Sequence, residues 1–139
     1  MVSGGKPIGF FVRIRGGRAY LYLGTGSTTP AGWVPADTPL QLGMAGGLTL
    51  GLSWGPSCLA TDIDYEVYEG QIGDFTSHKA RLCSTGGQTS AEFIPDWGST
   101  YYLVVPRSQS SEGSYGKTSS GEERPPGQPA CLVQAIGDC

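Results

Sequence analysis

A strictly alternating run from Leu48 to Trp54 indicates the fold class of this chain more firmly than any other segment. Apolar side chains occupy every second position of this run, and Gly55 and Pro56 end it. Alternation with a period of two is typical of a β-strand that buries one face. Similar short apolar runs recur along the chain, and its 23 Gly and 10 Pro among 139 residues lie largely between them. This punctuation predicts an all-β fold.

Further strands are predicted wherever apolar and polar residues alternate between turn signals. The clearest of these runs over Tyr101–Val105, whereas residues 107–129 read mostly as loop with one edge strand around Tyr115. The other predicted strands cover Asp64–Glu69, a short part of Phe75–Leu82, and Ser90–Ile94. The phase of the alternation predicts a core made of Leu48, Leu50, Leu52, Trp54, Tyr65, Val67, Tyr101, Leu103 and Val105.

Two alternating runs flank Gly16-Gly17 and predict a β-hairpin over residues 10–23. Residues 24–39 are rich in Gly, Thr and Pro, so we divide the chain into a hairpin and linker (1–39) and a β-sandwich (40–139). An isolated hairpin is marginal in water, so its apolar residues either cover the chain's own sandwich or add strands to a neighbouring subunit. The interface candidates are Phe10, Phe11, Val12, Ile14, Tyr20, Leu21, Tyr22 and Leu23.

The sequence argues against several function classes. An isoelectric point near 5.0 argues against nucleic-acid binding by charge, and no apolar run approaches the length of a membrane-spanning helix. Residues 51–55 match the G-x-S-x-G motif, but Ser53 lies inside an alternating strand instead of a strand-to-helix turn. The single histidine, His78, reads as a solvated surface residue, so we expect no enzyme activity and no cofactor.

Three other features have both a functional and an ordinary interpretation. Asp62, Asp64 and Glu66 could offer oxygens to Ca²⁺, but the EF-hand spacing is absent and solvated strand-end acids are the better interpretation. Arginines of the hairpin could bind an anionic ligand, yet they more often form a solvated edge. Aromatic side chains outside the predicted core could bind a polysaccharide or another protein, but partial burial under loops is the ordinary interpretation and the favoured one for Trp33 and Trp97. The arginines of the hairpin are Arg13, Arg15 and Arg18. The aromatic residues outside the predicted core are Trp33, Trp97, Tyr20, Tyr22, Tyr68, Tyr102 and Tyr115.

The four cysteines are Cys58, Cys83, Cys131 and Cys139. No C-x-x-C pair exists, which argues against a structural zinc site. Their even number and their loop-like or terminal surroundings favour two disulfides, for which three pairings are possible. Disulfides indicate an oxidising compartment outside the cytoplasm.

Several of these strings together resemble the fibronectin type III family, and most closely the fibronectin-like modules at the C-termini of secreted bacterial proteins. Trp54 resembles the strand B tryptophan of that family, Tyr65 and Val67 resemble its strand C core, and Tyr101–Val105 resembles strand F. The resemblance covers residues 40–139 and leaves the hairpin outside. The matching strings are Leu52–Cys58, Asp64–Gly70, Phe75–His78, Cys83–Gly87, Tyr101–Pro106 and Glu112–Gly116.

The resemblance implies an extracellular β-sandwich with no catalytic residues. It also implies that the cysteines at positions 58 and 83 pair, so we expect Cys58–Cys83 and Cys131–Cys139. The expected function is structural or adhesive, through contacts with other copies or with another surface protein, and a homo-oligomer or filament is one outcome. The alternative is a carbohydrate-binding module that accompanies a secreted hydrolase.

Overall fold

The structure, a computed structural model, describes the backbone of residues 12–15 and 18–21 and all of residues 29–96 and 98–139. Every regular element in these ranges is a β-strand, which confirms the all-β prediction. The described residues contain no helix that could cross a membrane. The strands are β1 (Val12–Arg15), β2 (Arg18–Leu21), β3 (Gln41–Gly46), β4 (Thr49–Ser53), β5 (Asp64–Gln71), β6 (Lys79–Leu82), β7 (Ser90–Phe93), β8 (Thr100–Arg107), β9 (Ser111–Glu112) and β10 (Val133–Gln134).

The described strands from β3 onward form two sheets. One sheet has the order β3-β4-β7, and the other has the order β10-β9-β8-β5-β6. All pairings are antiparallel except that between β10 and β9, which is parallel. In the N-terminal segment β1 pairs antiparallel with β2, with Arg15 opposite Arg18.

The main core lies between the two sheets. Leu52 and Phe93 come from the three-stranded sheet, and Tyr65, Val67 and Tyr102 come from the five-stranded sheet. Trp54, directly after β4, packs edge-on against Tyr65 with ring centroids 5.7 Å apart. Alternation along β4 and the start of β5 therefore predicted these core positions correctly.

The predicted core differs from the observed one in two places: Leu48 is not a core residue, and Leu103 and Val105 of β8 pack into a second cluster on the outer face of the sheet. Leu48 lies in the turn between β3 and β4, where Gly47 adopts a φ of 56°, and its side chain is 77% exposed. Along β8 the predicted phase is inverted, because Tyr102 faces the other sheet and Val105 faces away from it. A segment near the C-terminus covers that outer face, so both faces of β8 are apolar and alternation alone could not choose between them.

A buried ion pair lies at the edge of the main core. Glu69 is fully buried, and its Oε1 lies 3.2 Å from Arg81 Nε. The Arg81 guanidinium also stacks over Phe93, 4.9 Å from the ring centroid. The backbone N–H of Asp96 donates to Glu69 Oε2 over 2.9 Å, which fastens the loop after β7 to the sheet.

The disulfides differ from the predicted pairing. Cys58 pairs with Cys139, and Cys83 pairs with Cys131. The parallel β9–β10 pairing brings the end of the chain back beside residues 29–33, where Gly137 N–H donates to Ala31 O. Cys139 therefore lies beside Cys58, and Cys131 reaches Cys83 at the end of β6. The pairing implied by the family resemblance is therefore wrong, because each C-terminal cysteine reaches a partner that is distant in sequence.

Candidate functional site

A buried polar cluster occupies the outer face of the five-stranded sheet. The Tyr68 hydroxyl lies 2.7 Å from Glu112 Oε2 and 3.1 Å from Glu66 Oε1. The Tyr115 hydroxyl donates to the other oxygen of Glu112, and Leu132 N–H donates to Glu112 Oε2. The four side chains of the cluster are almost completely buried, so it is part of the interior.

Glu66 is the unusual member of the cluster. Burial, followed by the hydrogen bond and the charge of neighbouring Glu112, raises the pKa of Glu66 to about 9. Glu66 is therefore protonated at neutral pH and holds a proton that it can donate. The Tyr68 hydroxyl has one proton, so it can donate a hydrogen bond to only one carboxyl at a time. When it donates to Glu112, the protonated carboxyl of Glu66 can donate to the Tyr68 oxygen.

Residues 113–132, here called the C-terminal cover, shield this cluster from water. Tyr115 packs on Tyr68 with ring centroids 4.6 Å apart, and Cys131 N–H donates to the Tyr68 hydroxyl over 2.8 Å. Gly127 lies so close to the Tyr68 ring that a Cβ atom at position 127 would overlap the ring. The Cys83–Cys131 disulfide ties the cover to β6, which makes the cover a built part of the fold.

His78 lies beneath the same cover and is fully buried, so its predicted solvent exposure is wrong. Its Nδ1 lies 2.9 Å from the Tyr101 hydroxyl and its Nε2 lies 2.7 Å from Pro125 O. Since both ring nitrogens are occupied within the fold, His78 is not placed to act as a base for Ser53, whose side chain lies on an exposed position of β4.

The acidic residues considered for Ca²⁺ serve the local fold instead. Asp64 accepts hydrogen bonds from Ser84 Oγ and from the backbone N–H groups of Thr85 and Gly87. Burial raises the pKa of Asp64, but these hydrogen bonds outweigh it and lower the pKa to about 2. Asp62 accepts from Gly32 N–H and Ser57 Oγ. The described residues contain no group of three or more potential ligands that could hold a metal ion.

The edge strand β3 carries uncovered apolar side chains on the core face of its sheet. Leu42 is opposite Leu52, and Met44 is opposite Leu50, so both share the face that builds the core. Yet Leu42 is 57% exposed and Met44 is 68% exposed, whereas Leu52 is 2% exposed. In the described residues β3 pairs with β4 alone, so its other side presents free backbone groups. This combination is typical of a site for strand addition.

Charge is divided unequally along the chain. Residues 1–36 contain Lys6, Arg13, Arg15 and Arg18 and no acidic residue. Residues 37–139 therefore contain the other 5 of the 9 basic residues and all 12 acidic residues. Residues 1–36 are therefore basic and residues 37–139 acidic, so the two segments attract each other, whether they belong to one copy or to two.

A groove of about 780 Å³ lies beside Trp33. Trp33, Val34 and Ile136 form its apolar wall, and Trp33 is 37% exposed. Lys117 and Glu123 also line the groove. This volume lies within the range of about 300–1,000 Å³ that is usual for ligand pockets.

Comparison with known proteins supplies no relative for this chain. No protein-family model, no curated protein and no solved structure matches it. The surfaces themselves, β3 and the Trp33 groove, are therefore the basis for a functional proposal.

Most of the predicted interface residues fall outside the part of the chain whose side chains the structure describes. The side chains of the hairpin candidates and Trp97 lie outside the described residues. Tyr68, Tyr102 and Tyr115 were predicted outside the core but are buried. Sequence reasoning missed Leu42 and Met44, although their spacing of two was a strand signal that the surrounding glycines obscured. It also missed the buried acids, because Glu66, Glu69 and Glu112 look like ordinary solvated positions.

Proposed function

We propose that this protein is a non-catalytic extracellular module that assembles with copies of itself. In this proposal the N-terminal hairpin of one copy adds to the free edge of β3 in the next and covers Leu42 and Met44. The observation that carries the proposal is the exposure of these two side chains on the core face of an unpaired edge strand. Fully burying such a side chain contributes about 1.5–3 kcal/mol.

The hairpin is the occupant that fits this edge best. Phe10, Val12 and Ile14 alternate in sequence, so a strand formed by them presents one apolar face, as an added strand requires. The positive charge of residues 1–36 complements the acidic sandwich and favours contact between different copies. The two disulfides indicate an oxidising compartment, which supports a location outside the cytoplasm.

Strand order supports a fibronectin type III-like or immunoglobulin-like sandwich. If β3, β4 and β7 are taken as strands A, B and E, then β5, β8 and β9 take the places of C, F and G. The neighbours A-B-E and C-F-G are those of such sandwiches.

The assembly proposal is tested by the molar mass of the protein in solution. We expect full-length protein to be oligomeric in size-exclusion chromatography with light scattering, and protein lacking residues 1–24 to be monomeric. Leu42→Lys combined with Met44→Lys removes the apolar target and gives a monomer of the full chain. Val133→Lys is the matched control, since Val133 is 65% exposed on the other sheet, and it leaves the oligomer intact.

A synthetic peptide of residues 1–24 gives a direct test of strand addition. We expect the peptide to bind the protein that lacks these residues. We expect this binding to weaken at high salt, because salt screens the charges. We also expect the Leu42→Lys/Met44→Lys double variant not to bind the peptide. A full-length protein that stays monomeric at high concentration contradicts the proposal. So does a peptide that binds the double variant as well as it binds the unaltered sandwich.

A further inference from the structure

The Trp33 groove has walls that the fold holds in place independently of any ligand. Trp33 N–H donates to Cys58 Sγ and Trp33 O accepts from Cys58 N–H, which fixes this backbone beside the Cys58–Cys139 disulfide. A parallel β-bridge between Ala31 and Ile136 holds Ile136 beside the segment that carries Trp33. A site built in this way needs little ordering when it binds a ligand, so less free energy is lost on binding.

A small turn that also lines the groove is held together by the carboxylate of Glu123. Glu123 Oε2 accepts from Ser114 Oγ over 2.6 Å and from Tyr115 N–H over 3.0 Å. Lys117 forms an isolated β-bridge with Glu123, and Arg124 N–H donates to Gly116 O. Because the Glu123 carboxylate and these backbone contacts hold the turn together, this part of the groove lining has a defined shape.

We propose that the Trp33 groove binds a neutral saccharide chain. Sugar rings combine apolar C–H faces with hydroxyl groups on their rims, and the groove offers both kinds of partner. Trp33, Val34 and Ile136 supply apolar surface for a ring face, and Lys117, Glu123 and Asp138 supply polar groups for hydroxyls. The proposal does not depend on self-assembly, because the groove and β3 are lined by different residues.

Charge and shape favour a neutral sugar over other ligands. The groove contains two carboxylates and one ammonium group, so an acidic glycan meets net repulsion. Gly116, Gly121 and Gly137 line it without side chains, which leaves broad wall surface for a ring.

Binding is tested with soluble oligosaccharides on the full-length protein. The probes are cellohexaose, chitohexaose, xylohexaose and laminarihexaose, each titrated by calorimetry. We expect at least one to bind, and Trp33→Leu to weaken that binding at least tenfold. Trp33→Tyr keeps an aromatic ring and retains most of it. Phe75→Leu is the control, since Phe75 is 53% exposed outside the groove, and it leaves binding unchanged.

Three results overturn the saccharide proposal. The first is no detectable binding of any of the four probes at millimolar concentration. The second is equal binding by the wild type and Trp33→Leu, which places the sugar elsewhere. The third is dissociation of the oligomer by Trp33→Leu without an effect of the sugars, which makes the groove a contact between protein copies. Neither of the first two affects the assembly proposal, because the molar-mass measurement is independent of sugar.

Discussion

Replacing Glu66 with glutamine changes how the stability of this protein depends on pH. The unfolded chain holds Glu66 at its ordinary pKa of 4.5, whereas the folded protein raises the pKa to about 9. Between these values the folded state binds a proton that the unfolded state has lost. Stability from this group is therefore complete below pH 4.5 and falls as pH rises towards 9. The amide of the Glu66→Gln variant mimics the protonated carboxyl and does not titrate, so the variant lacks this loss.

The size of the effect follows from one proton. A single group changes the free energy of unfolding by at most about 1.4 kcal/mol per pH unit. Between about pH 5.5 and pH 8 the wild type loses about 3 kcal/mol relative to the Glu66→Gln variant. Near pH 5 the two proteins differ little, because Glu66 is protonated in the folded state and the amide can keep its contact with Tyr68.

The measurement is urea unfolding of both proteins at pH 5.5, 6.5, 7.5 and 8.5, followed by circular dichroism. We expect the free energy of unfolding of the variant minus that of the wild type to rise with pH along this series. The difference between the proteins isolates Glu66, since every other titrating group is common to both. A difference that stays constant across the series refutes the protonated carboxyl, and a negative slope refutes the sign of the argument.

Four further outcomes follow from the packing. Leu52→Ala opens a cavity in the main core and costs about 2–5 kcal/mol in chemical unfolding. Arg81→Met leaves Glu69 buried without its cation and costs about 3–5 kcal/mol in the same assay, whereas an unchanged stability contradicts the ion pair. Replacing both Cys83 and Cys131 with Ser, which opens a link of 48 residues, costs about 4 kcal/mol and speeds proteolysis of the C-terminal cover. Gly127→Ala displaces the cover from Tyr68 and accelerates amide exchange at residues 125–131, and unaltered exchange contradicts the close contact.

Alternation predicted most of the strands, but it predicted the buried face correctly only where the other face of the strand meets solvent. Along β4 one face meets the core and the other meets solvent, so the pattern of Leu52 and Trp54 was informative. Along β5 both faces are buried from Tyr65 to Glu69, because the opposite sheet covers one and the C-terminal cover the other. A polar residue such as Glu66 then looks solvated in sequence, since the cover that buries it comes from residues 113–132.

The disulfide pairing was unpredictable for the same reason. The family resemblance implied Cys58–Cys83 and hence Cys131–Cys139, but the positions of the last two cysteines depend on the path of the cover across the sheet. That path is set by contacts of residues with little secondary structure, such as Pro125 with His78 and Cys131 with Tyr68. Periodicity carries no information about segments of this kind, which hold their place through single hydrogen bonds and a covalent link.

The C-terminal cover also limits where this protein can meet partners. The outer face of β5 and β8 would be open in a simple two-sheet sandwich, but here it is occupied by the protein's own chain and locked by Cys83–Cys131. The opposite situation holds at β3, where Leu42 and Met44 share the core face and have no cover in the described residues. This chain closes one face of a sheet with its own C-terminal segment. It leaves apolar side chains exposed at the edge of the other sheet, and a second copy is suited to cover them. The residues that follow the cover line the Trp33 groove through Ile136 and end in the Cys58–Cys139 disulfide, so reduction of this disulfide is expected to weaken sugar binding without releasing the hairpin from β3.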